Sequence, residues 1–341
     1  MININKSFGL EDNAQLNNRV DWVDMAKGIT IILVIIGHVV PFDSATRNVI
    51  FSFHMLLFFI LSGYSYKLCD DKQKFFLNLK KNFCHLFIPA LYISGIFLAY
   101  KFIYLELFSK IGGGGYEIIK ETLASLYYAS GIPFNGHPAL GMPWFLISLF
   151  WSKTILDFIH INFQGKSEYY LYIGLGLLGI GLGLKGRWLA QNLDVTLVSI
   201  LFISCGILWK KYSIYIERYE LGVFCMATTI WTIFLANHMY LEMAIRSYPG
   251  IILSSIEAIA GTFFVCCMCK GIKTNIIIKK YTSFLGRYSL IIFCIHCIDY
   301  LFPYLWEQNT VGLTVINRVA LDLIVFHVWY VFKIGYNKLK G

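Results

Sequence analysis

The amino-acid sequence predicts an all-α membrane protein, a polytopic bundle of about ten transmembrane helices with both chain termini in the cytoplasm. Three observations predict this fold class: an apolar composition, a series of apolar segments, and basic residues concentrated on alternate connections. Of the 341 residues, 57% are hydrophobic and 14% are charged, and the mean hydropathy is +0.62. Because soluble domains contain about 25% charged residues, this composition indicates an integral membrane protein.

Ten segments approach the length of roughly 20 residues that a helix needs to cross the hydrocarbon core of a bilayer. In chain order they are 25–41, 49–66, 83–105, 143–161, 169–184, 193–209, 221–240, 250–272, 284–302 and 313–332. The sequence shows no internal repeat, linker or second domain. Residues 1–341 are therefore expected to form a single transmembrane domain, which begins with a cytoplasmic segment of residues 1–22.

The formal net charge of +9 follows the membrane topology. Basic residues gather on alternate connections and form no patch with interleaved aromatic residues, so nucleic acid is not an expected partner. Because cytoplasmic connections are enriched in Lys and Arg, the asymmetry predicts an even number of spans in the cell inner (plasma) membrane. The basic stretch 67–82 fits either an ordinary cytoplasmic anchor or a seat for a polyanionic cofactor.

His38 constrains the function more than any other residue, because an ionisable side chain inside an apolar segment is costly unless it has a role. Lys27 precedes it by eleven positions. At about 100° per residue, eleven steps return to almost the same face of a helix, and they span about 16 Å. A basic residue at the membrane surface is thus expected to lie in line with a buried histidine.

Other polar residues of the apolar segments, of the outer end of the sixth segment and of the short loop between the seventh and eighth are expected in the outer half of the membrane. They are His54, Asn192, Asp194, Glu242, His296, Asp299 and Arg318. Buried ionisable groups usually pair and mark a pathway or a reaction centre, although each of them alone also fits a hydrogen-bonded core residue. The nine cysteines form no pair or framework with ligand spacing, so they are interpreted as packing residues and no metal is expected.

Two motifs resemble those of the membrane-bound acyltransferase 3 family, in particular the branch of surface-polysaccharide and fucose-type O-acetyltransferases. The first is a basic residue, ten residues and a histidine, here Lys27 and His38. The second is two phenylalanines, two residues and Ser-Gly, here Phe58, Phe59, Ser62 and Gly63. Weaker similarities occur at 86–89, 144–146, 192–194 and 284–296, so the resemblance covers nearly the whole chain.

This resemblance implies a membrane O-acetyltransferase that moves an acetyl group from cytosolic acetyl-CoA to a hydroxyl of a cell-surface or lipid-linked glycan. His38 is then the catalytic base or the acyl carrier, and His54 or His296 orients it or relays its proton. Donor contacts are expected from Lys27, Ser62, Gly63, Lys80, Lys81 and Arg287. Acceptor contacts are expected from Trp144, Asn192, Asp194, Glu242 and Arg318.

The sequence departs from the family pattern where Lys27 replaces the usual arginine, which exchanges a bidentate guanidinium for a point charge. The main alternative function is a proton-coupled secondary transporter or lipid-linked sugar flippase, in which the same residues form a proton relay. That function predicts inverted repeats, which the sequence does not show clearly. The identity of the sugar and the oligomeric state, homodimer included, stay open.

Overall fold

The computed structural model describes residues 20–103, 115–134, 136–163, 165–271, 276–302, 305 and 310–340. Within these residues the chain is helical, with two isolated antiparallel bridges, Phe134 with His137 and Glu242 with Ser247, and no strand. The predicted all-α class is therefore confirmed. Residues 1–19, most of the expected cytoplasmic segment, lie outside the described residues.

The helices follow the predicted apolar segments, with additional short helices between them. They are α1 (Asp21–Gly37), α2 (Ala45–Phe51), α3 (His54–Ser65), α4 (Lys72–Asn82), α5 (Ile88–Ile103), α6 (Gly115–Tyr128), α7 (Trp144–Asn162), α8 (Lys166–Leu184), α9 (Leu193–Lys211), α10 (Ser213–Arg218), α11 (Glu220–Ala236), α12 (Ile252–Gly271), α13 (Ile276–Arg287), α14 (Ser289–Asp299) and α15 (Val311–Lys340). A π-helical turn, Phe83–Phe87, joins α4 to α5.

Within the part of the chain that the structure describes, seven helical stretches are long and apolar enough to cross a membrane, or eight when the bent pair α13 and α14 counts as one span. This makes the protein a multi-pass membrane protein. Each of the ten predicted segments overlaps a described helix, but α1 and α11 have 17 residues each and fall just short of a full span. The total of ten spans and the cytoplasmic placement of both termini stay predictions.

Helix α1 is fixed against α13 by direct backbone contact. A Cβ atom added to Gly28 would lie 1.9 Å from the carbonyl oxygen of Thr282, and one added to Gly286 would lie 1.7 Å from that of Asp24. Since only glycine permits such a close approach, the two helices are held at a fixed depth relative to each other. This contact sets the position of α1, which contains Lys27 and ends next to His38.

The contact between α3 and α9 also depends on glycines that let the two backbones approach closely. A Cβ atom on Gly63 would lie 2.0 Å from the carbonyl oxygen of Ile203, and one on Gly206 would lie 1.9 Å from that of Ile60. Gly63 therefore allows a neighbouring helix to approach closely. The next residue back, Ser62, lies on a different face of α3 and lines the central cavity.

Two interruptions of helices shape the interior. The predicted second span is broken after Phe51, where the indole Nε1 of Trp231 donates a hydrogen bond of 2.8 Å to the Ser52 hydroxyl. The predicted ninth span bends by 69° between α13 and α14. As a result α3 begins at His54, and α14 brings His296 next to the end of α1.

Candidate active site

A cavity of about 180 Å³ lies between α1, α3, α7, α14 and the connection before α12. Its lining includes Lys27, His38, His54, Ser62, Trp144 and Glu242. Lys27 and His38 are thus on one face of α1, as the spacing predicts, and they border the same space. We call the part near Lys27 the lysine end and the part near His38 the histidine end.

His38 follows the last residue of α1 and is surrounded by aromatic rings. Its ring centroid lies 5.9 Å from that of Phe51, 5.6 Å from that of His296 and 6.1 Å from that of Tyr300. The Tyr300 hydroxyl donates a hydrogen bond of 3.5 Å to the His38 carbonyl oxygen. Within the described residues the imidazole nitrogens of His38 have no hydrogen-bond partner, so they are available to a molecule in the cavity.

His54 is a buried second imidazole at the histidine end. Its Nδ1 lies 3.0 Å from the carbonyl oxygen of Ile50, one turn earlier in the chain. Because a carbonyl oxygen only accepts hydrogen bonds, this Nδ1 carries the proton, and Nε2 is left as an acceptor. His54, one of the two residues expected to assist His38, therefore presents the lone pair of its Nε2 as a hydrogen-bond acceptor.

His296 is fully buried and held by carboxylates. Its Nδ1 lies 3.0 Å from Asp322 Oδ2 and 3.3 Å from Asp299 Oδ2. In the described part of the chain, His296 Nε2 and Asp322 Oδ1 have no hydrogen-bond partner. The predicted residues His38 and His296 are thus adjacent, and a carboxylate supports the second of them. We call His38, His54, His296 and Asp322 the histidine cluster.

Sequence reasoning missed Asp322. It lies four residues after Arg318, on the same face of α15, within the predicted span 313–332. The signal that identified the histidines, an ionisable residue inside an apolar segment, applies to it equally. Arg318 does not line the cavity, and its guanidinium forms a two-pronged ion pair with Asp299.

A second residue that the sequence analysis missed, Lys153, lies near the lysine end without lining the cavity. It interacts electrostatically with Lys27 and Lys81, and its Nζ lies 4.9 Å from the centroid of the Tyr66 ring. The nearby carboxylate of Asp157 also interacts with it but accepts hydrogen bonds from the Tyr66 hydroxyl, the Cys69 amide and the Asn78 side chain. Three lysines from different helices therefore gather near one engaged carboxylate.

A family model for an acyltransferase domain (acyltransferase 3) matches residues 20–332 of this chain. The chain belongs to this family. The match covers the whole cavity, which includes Lys27, His38 and Ser62 of the two motifs. It confirms the resemblance at the level of the family and does not specify a branch. Searches among curated proteins and solved structures find no match.

The histidine end of the acyltransferase cavity is next to an ion pair. At the histidine end, Arg47 lies 3.3 Å from Glu242 and donates a hydrogen bond of 3.0 Å to the Gly37 carbonyl oxygen. Burial raises the pKa of the Glu242 carboxyl, and the nearby Arg47 partly opposes this rise. Among the described residues, Glu242 Oε2 and Arg47 Nε have no hydrogen-bond partner. Arg47 is the third residue that the sequence analysis missed.

Two expected acceptor residues of the acyltransferase, Asn192 and Asp194, do not line the cavity. Both bond to the buried Arg246, which donates from Nε to Asp194 at 2.9 Å and from Nη2 to Asn192. Arg246 also donates to the Ser130 hydroxyl and lies 3.8 Å above the Trp188 ring. These side chains hold a connection in place, and their expected contact with the acceptor stays a prediction. We call these five residues the arginine cluster.

Three expected donor residues of the acyltransferase are also directed elsewhere. Lys80 lines a separate groove that opens beside α4. Arg287 forms an ion pair with Asp24, with Nε 3.4 Å from Oδ2. Gly63 contacts α9 through its backbone, as described above. Of the basic residues that the sequence proposed for the donor, Lys27 borders the cavity directly and Lys81 approaches it through Lys153.

The residues His296, Asp299 and Asp322 have ligand atoms within 4.8 Å of one another, a spacing that a metal ion can bridge. Arg318 already supplies a positive charge to Asp299, and the His296 Nδ1 proton is shared with the carboxylates. The donor set is thus already neutralised by protein groups. This arrangement fits a hydrogen-bond network better than a metal centre.

Proposed function

We propose that this acyltransferase moves an acetyl group from cytosolic acetyl-CoA to a hydroxyl of a cell-surface or lipid-linked glycan, in the inner (plasma) membrane. One observation carries the proposal: a single cavity is lined by Lys27 at one end and by His38 and His54 at the other. Such a cavity suits a donor with an anionic head and a reactive thioester at the end of a thin arm.

The lysine end supports the binding of the nucleotide phosphates. Lys27, Lys81 and Lys153 repel one another, and Asp157 is occupied by three hydrogen bonds. A polyanion relieves this repulsion, so binding is favourable where phosphates meet the three ammonium groups. Ser62 lines the cavity between this end and His38, and it leaves room for the pantetheine arm.

His38 is the group that we assign to the chemistry. It takes the proton from the acceptor hydroxyl, the oxygen forms a bond with the thioester carbonyl carbon, and the carbon–sulfur bond breaks. The CoA thiolate then receives the proton. The same imidazole is also competent to carry the acetyl group as an acetyl-histidine before the acceptor arrives. Both routes require the free ring nitrogens that face the cavity.

His296 and Asp322 fit a positioning role behind His38. The carboxylate of Asp322 orients the His296 imidazole through Nδ1, which leaves Nε2 without a partner among the described residues. An imidazole held in this way accepts a proton from a neighbouring base, or it stabilises that base in its protonated form. The 5.6 Å separation of the two ring centroids allows such support directly or through one water.

The histidine end suits a hydroxyl-bearing acceptor. Glu242 and Trp144 line the cavity there, and Glu242 Oε2 is an unused acceptor in the described part of the chain. An aromatic ring and a carboxylate oxygen are the groups that bind the apolar face and the hydroxyls of a sugar. Glu242 and Trp144 are therefore the acceptor contacts that we propose, in place of Asn192 and Asp194.

The test is release of the CoA thiol by purified protein in lipid nanodiscs. We expect slow release from acetyl-CoA, acceleration by glycan acceptors, and loss of both in a His38→Ala variant. His327→Ala is the matched control, because His327 lies on α15, outside the cavity, and bonds to the Leu323 carbonyl oxygen. A protein that releases no CoA yet transports a glycan across vesicles would contradict the proposal and support the transporter.

A further inference from the structure

A second groove, distinct from the acyltransferase cavity, lies between α7 and the stretch formed by α4 and the π-helical turn. Its volume is about 480 Å³. It is lined by Phe76, Leu79, Lys80, Phe83, Phe87, Phe150 and Trp151. None of these residues lines the central cavity. The groove therefore requires an explanation of its own.

The walls of the groove are almost entirely carbon. The Phe83 and Phe87 rings stack with centroids 5.1 Å apart, and the Phe150 ring lies 5.3 Å from Phe87. Lys80 provides the one ammonium group among the lining residues and lies on α4, with Phe76 and Leu79 before it and Phe83 and Phe87 after it. Phe87 lies seven residues further along the chain than Lys80, which corresponds to about 10 Å of helix. The groove is thus elongated, with a single charge on α4 and aromatic rings that continue beyond it.

The charge of Lys80 is not balanced by the described part of the protein. Helix α4 contains four lysines and no acidic residue. Lys74 pairs with Asp70 at 3.0 Å and with Asp71 at 3.4 Å, whereas Lys80 forms no ion pair within the described residues. A cation beside an apolar groove fits a ligand that combines an anion with a hydrocarbon chain.

Helix α4 has the character of a helix at a membrane surface. Phe76 and Leu77 are 66% and 62% exposed, next to lysines on the same short helix. Large apolar side chains and lysines on one exposed helix are typical of segments that lie at the boundary between lipid headgroups and acyl chains. Lys80 is then at headgroup depth, and the rings of Phe83 and Phe87, which follow it along the chain, lie deeper in the hydrocarbon.

We propose that this groove binds one anionic phospholipid, whose headgroup phosphate pairs with Lys80 and whose acyl chain lies along Phe83, Phe87 and Trp151. A lipid satisfies both features at once, because its charge and its chain have the same spatial order as Lys80 and the aromatic rings. This site does not depend on the proposed acetyl transfer. It assigns to Lys80 a partner different from the acyl donor.

The experiment uses the full-length protein in nanodiscs that contain a phospholipid with brominated acyl chains, which quench nearby tryptophans. Because the chain has eight tryptophans, the signal of Trp151 is obtained as the difference between the wild type and Trp151→Phe. We expect brominated phosphatidylglycerol to quench Trp151 more strongly than brominated phosphatidylcholine. Lys80→Gln should reduce this preference on the order of fivefold, since one lysine near an anionic surface contributes about 1 kcal/mol.

Two variants serve as controls, one at another lysine of α4 and one that keeps the charge at position 80. Lys74→Gln removes a lysine that is already paired, so it should keep the lipid preference, and Lys80→Arg should keep it because the charge is retained. Equal quenching by both lipids, or an unchanged preference in Lys80→Gln, would overturn the proposal. Relief of the quenching by acetyl-CoA would assign the groove to the donor instead. CoA release measured in parallel reports separately on acetyl transfer.

Discussion

The histidine cluster and the arginine cluster are both polar and largely buried, and each contains residues that the same sequence pattern suggested, yet their hydrogen bonding differs. In the arginine cluster, all three nitrogens of the Arg246 guanidinium donate to described partners, Asp194 among them. In the histidine cluster, His296 Nε2 and Asp322 Oδ1 have no partner among the described residues.

This difference separates a structural role from a chemical one. A buried polar group without a partner costs about 1–3 kcal/mol, so a protein keeps one where a substrate, water or proton is to be met. A fully paired group is already at its minimum and has nothing to offer a ligand. In the proposed mechanism, the unpaired groups of the histidine cluster are the ones that meet a substrate, a water or a proton.

The largest expected effect is on His38. His38→Ala should lower kcat for acetyl transfer by about 10²–10⁴-fold, the usual contribution of a general base. The variant should insert and melt like the wild type, because the side chain has no hydrogen-bond partner in the described residues. CoA release and thermal melting in detergent measure the two quantities. Full activity in a folded His38→Ala protein would contradict the chemical role that we assign to the histidine cluster.

The arginine cluster should respond in the opposite way. Asp194→Ala leaves the buried Arg246 charge unpaired and should lower the free energy of unfolding by about 3–5 kcal/mol. The activity of the remaining folded protein and the KM for the acceptor should stay close to wild type. Melting temperature and acceptor titration test this. A raised acceptor KM with unchanged stability would restore Asp194 to substrate binding.

Asp322→Asn tests whether the histidine cluster acts as a unit. The variant keeps the size of the side chain but replaces a carboxylate that bonds to His296, an interaction of about 1.5–3 kcal/mol. We expect kcat to fall by about 10–100-fold and the pH profile of kcat to shift. A purely structural role would lower stability and leave the pH profile in place, which is the contradicting result.

The smallest effect is expected at the lysine end. Lys153→Gln removes one of three charges and should raise the KM for acetyl-CoA by about tenfold with little change in kcat. The KM should also become less sensitive to salt. Lys74→Gln, which changes a lysine paired with Asp70, is the matched control. An unchanged donor KM in Lys153→Gln would place the phosphates elsewhere.

The sequence predicts the helical segments well and the partners of buried residues poorly. Each of the ten segments that hydropathy located overlaps a helix of the structure, and the eleven-residue spacing placed Lys27 and His38 against the same cavity. Both features are local properties of a helix. Asn192 and Asp194 lie at the start of α9, as expected, but their direction toward Arg246 depends on a connection about fifty residues away.

The residues that were missed follow the same rule. Asp322 and Lys153 are ionisable residues inside apolar segments, and their partners become visible when α15 meets α14 and when α7 meets α1. The break at Ser52 and the 69° bend between α13 and α14 also depend on tertiary contacts, since no proline marks either position. The partners of a buried charge, and the faces that helices present to one another, are set by packing of distant segments.

Helix α1 contains Lys27 and ends directly before His38, and in the proposed mechanism this has a consequence for the size of the donor. The separation of the two residues is set by the helical rise and is unaffected when neighbouring helices shift. Helix α1 thus fixes the distance between the Lys27 charge and the His38 ring. One residue inserted between them would turn the ring by about 100° and increase this distance by about 1.5 Å. The length and the rotation of a single helix therefore determine which donor fits the proposed mechanism.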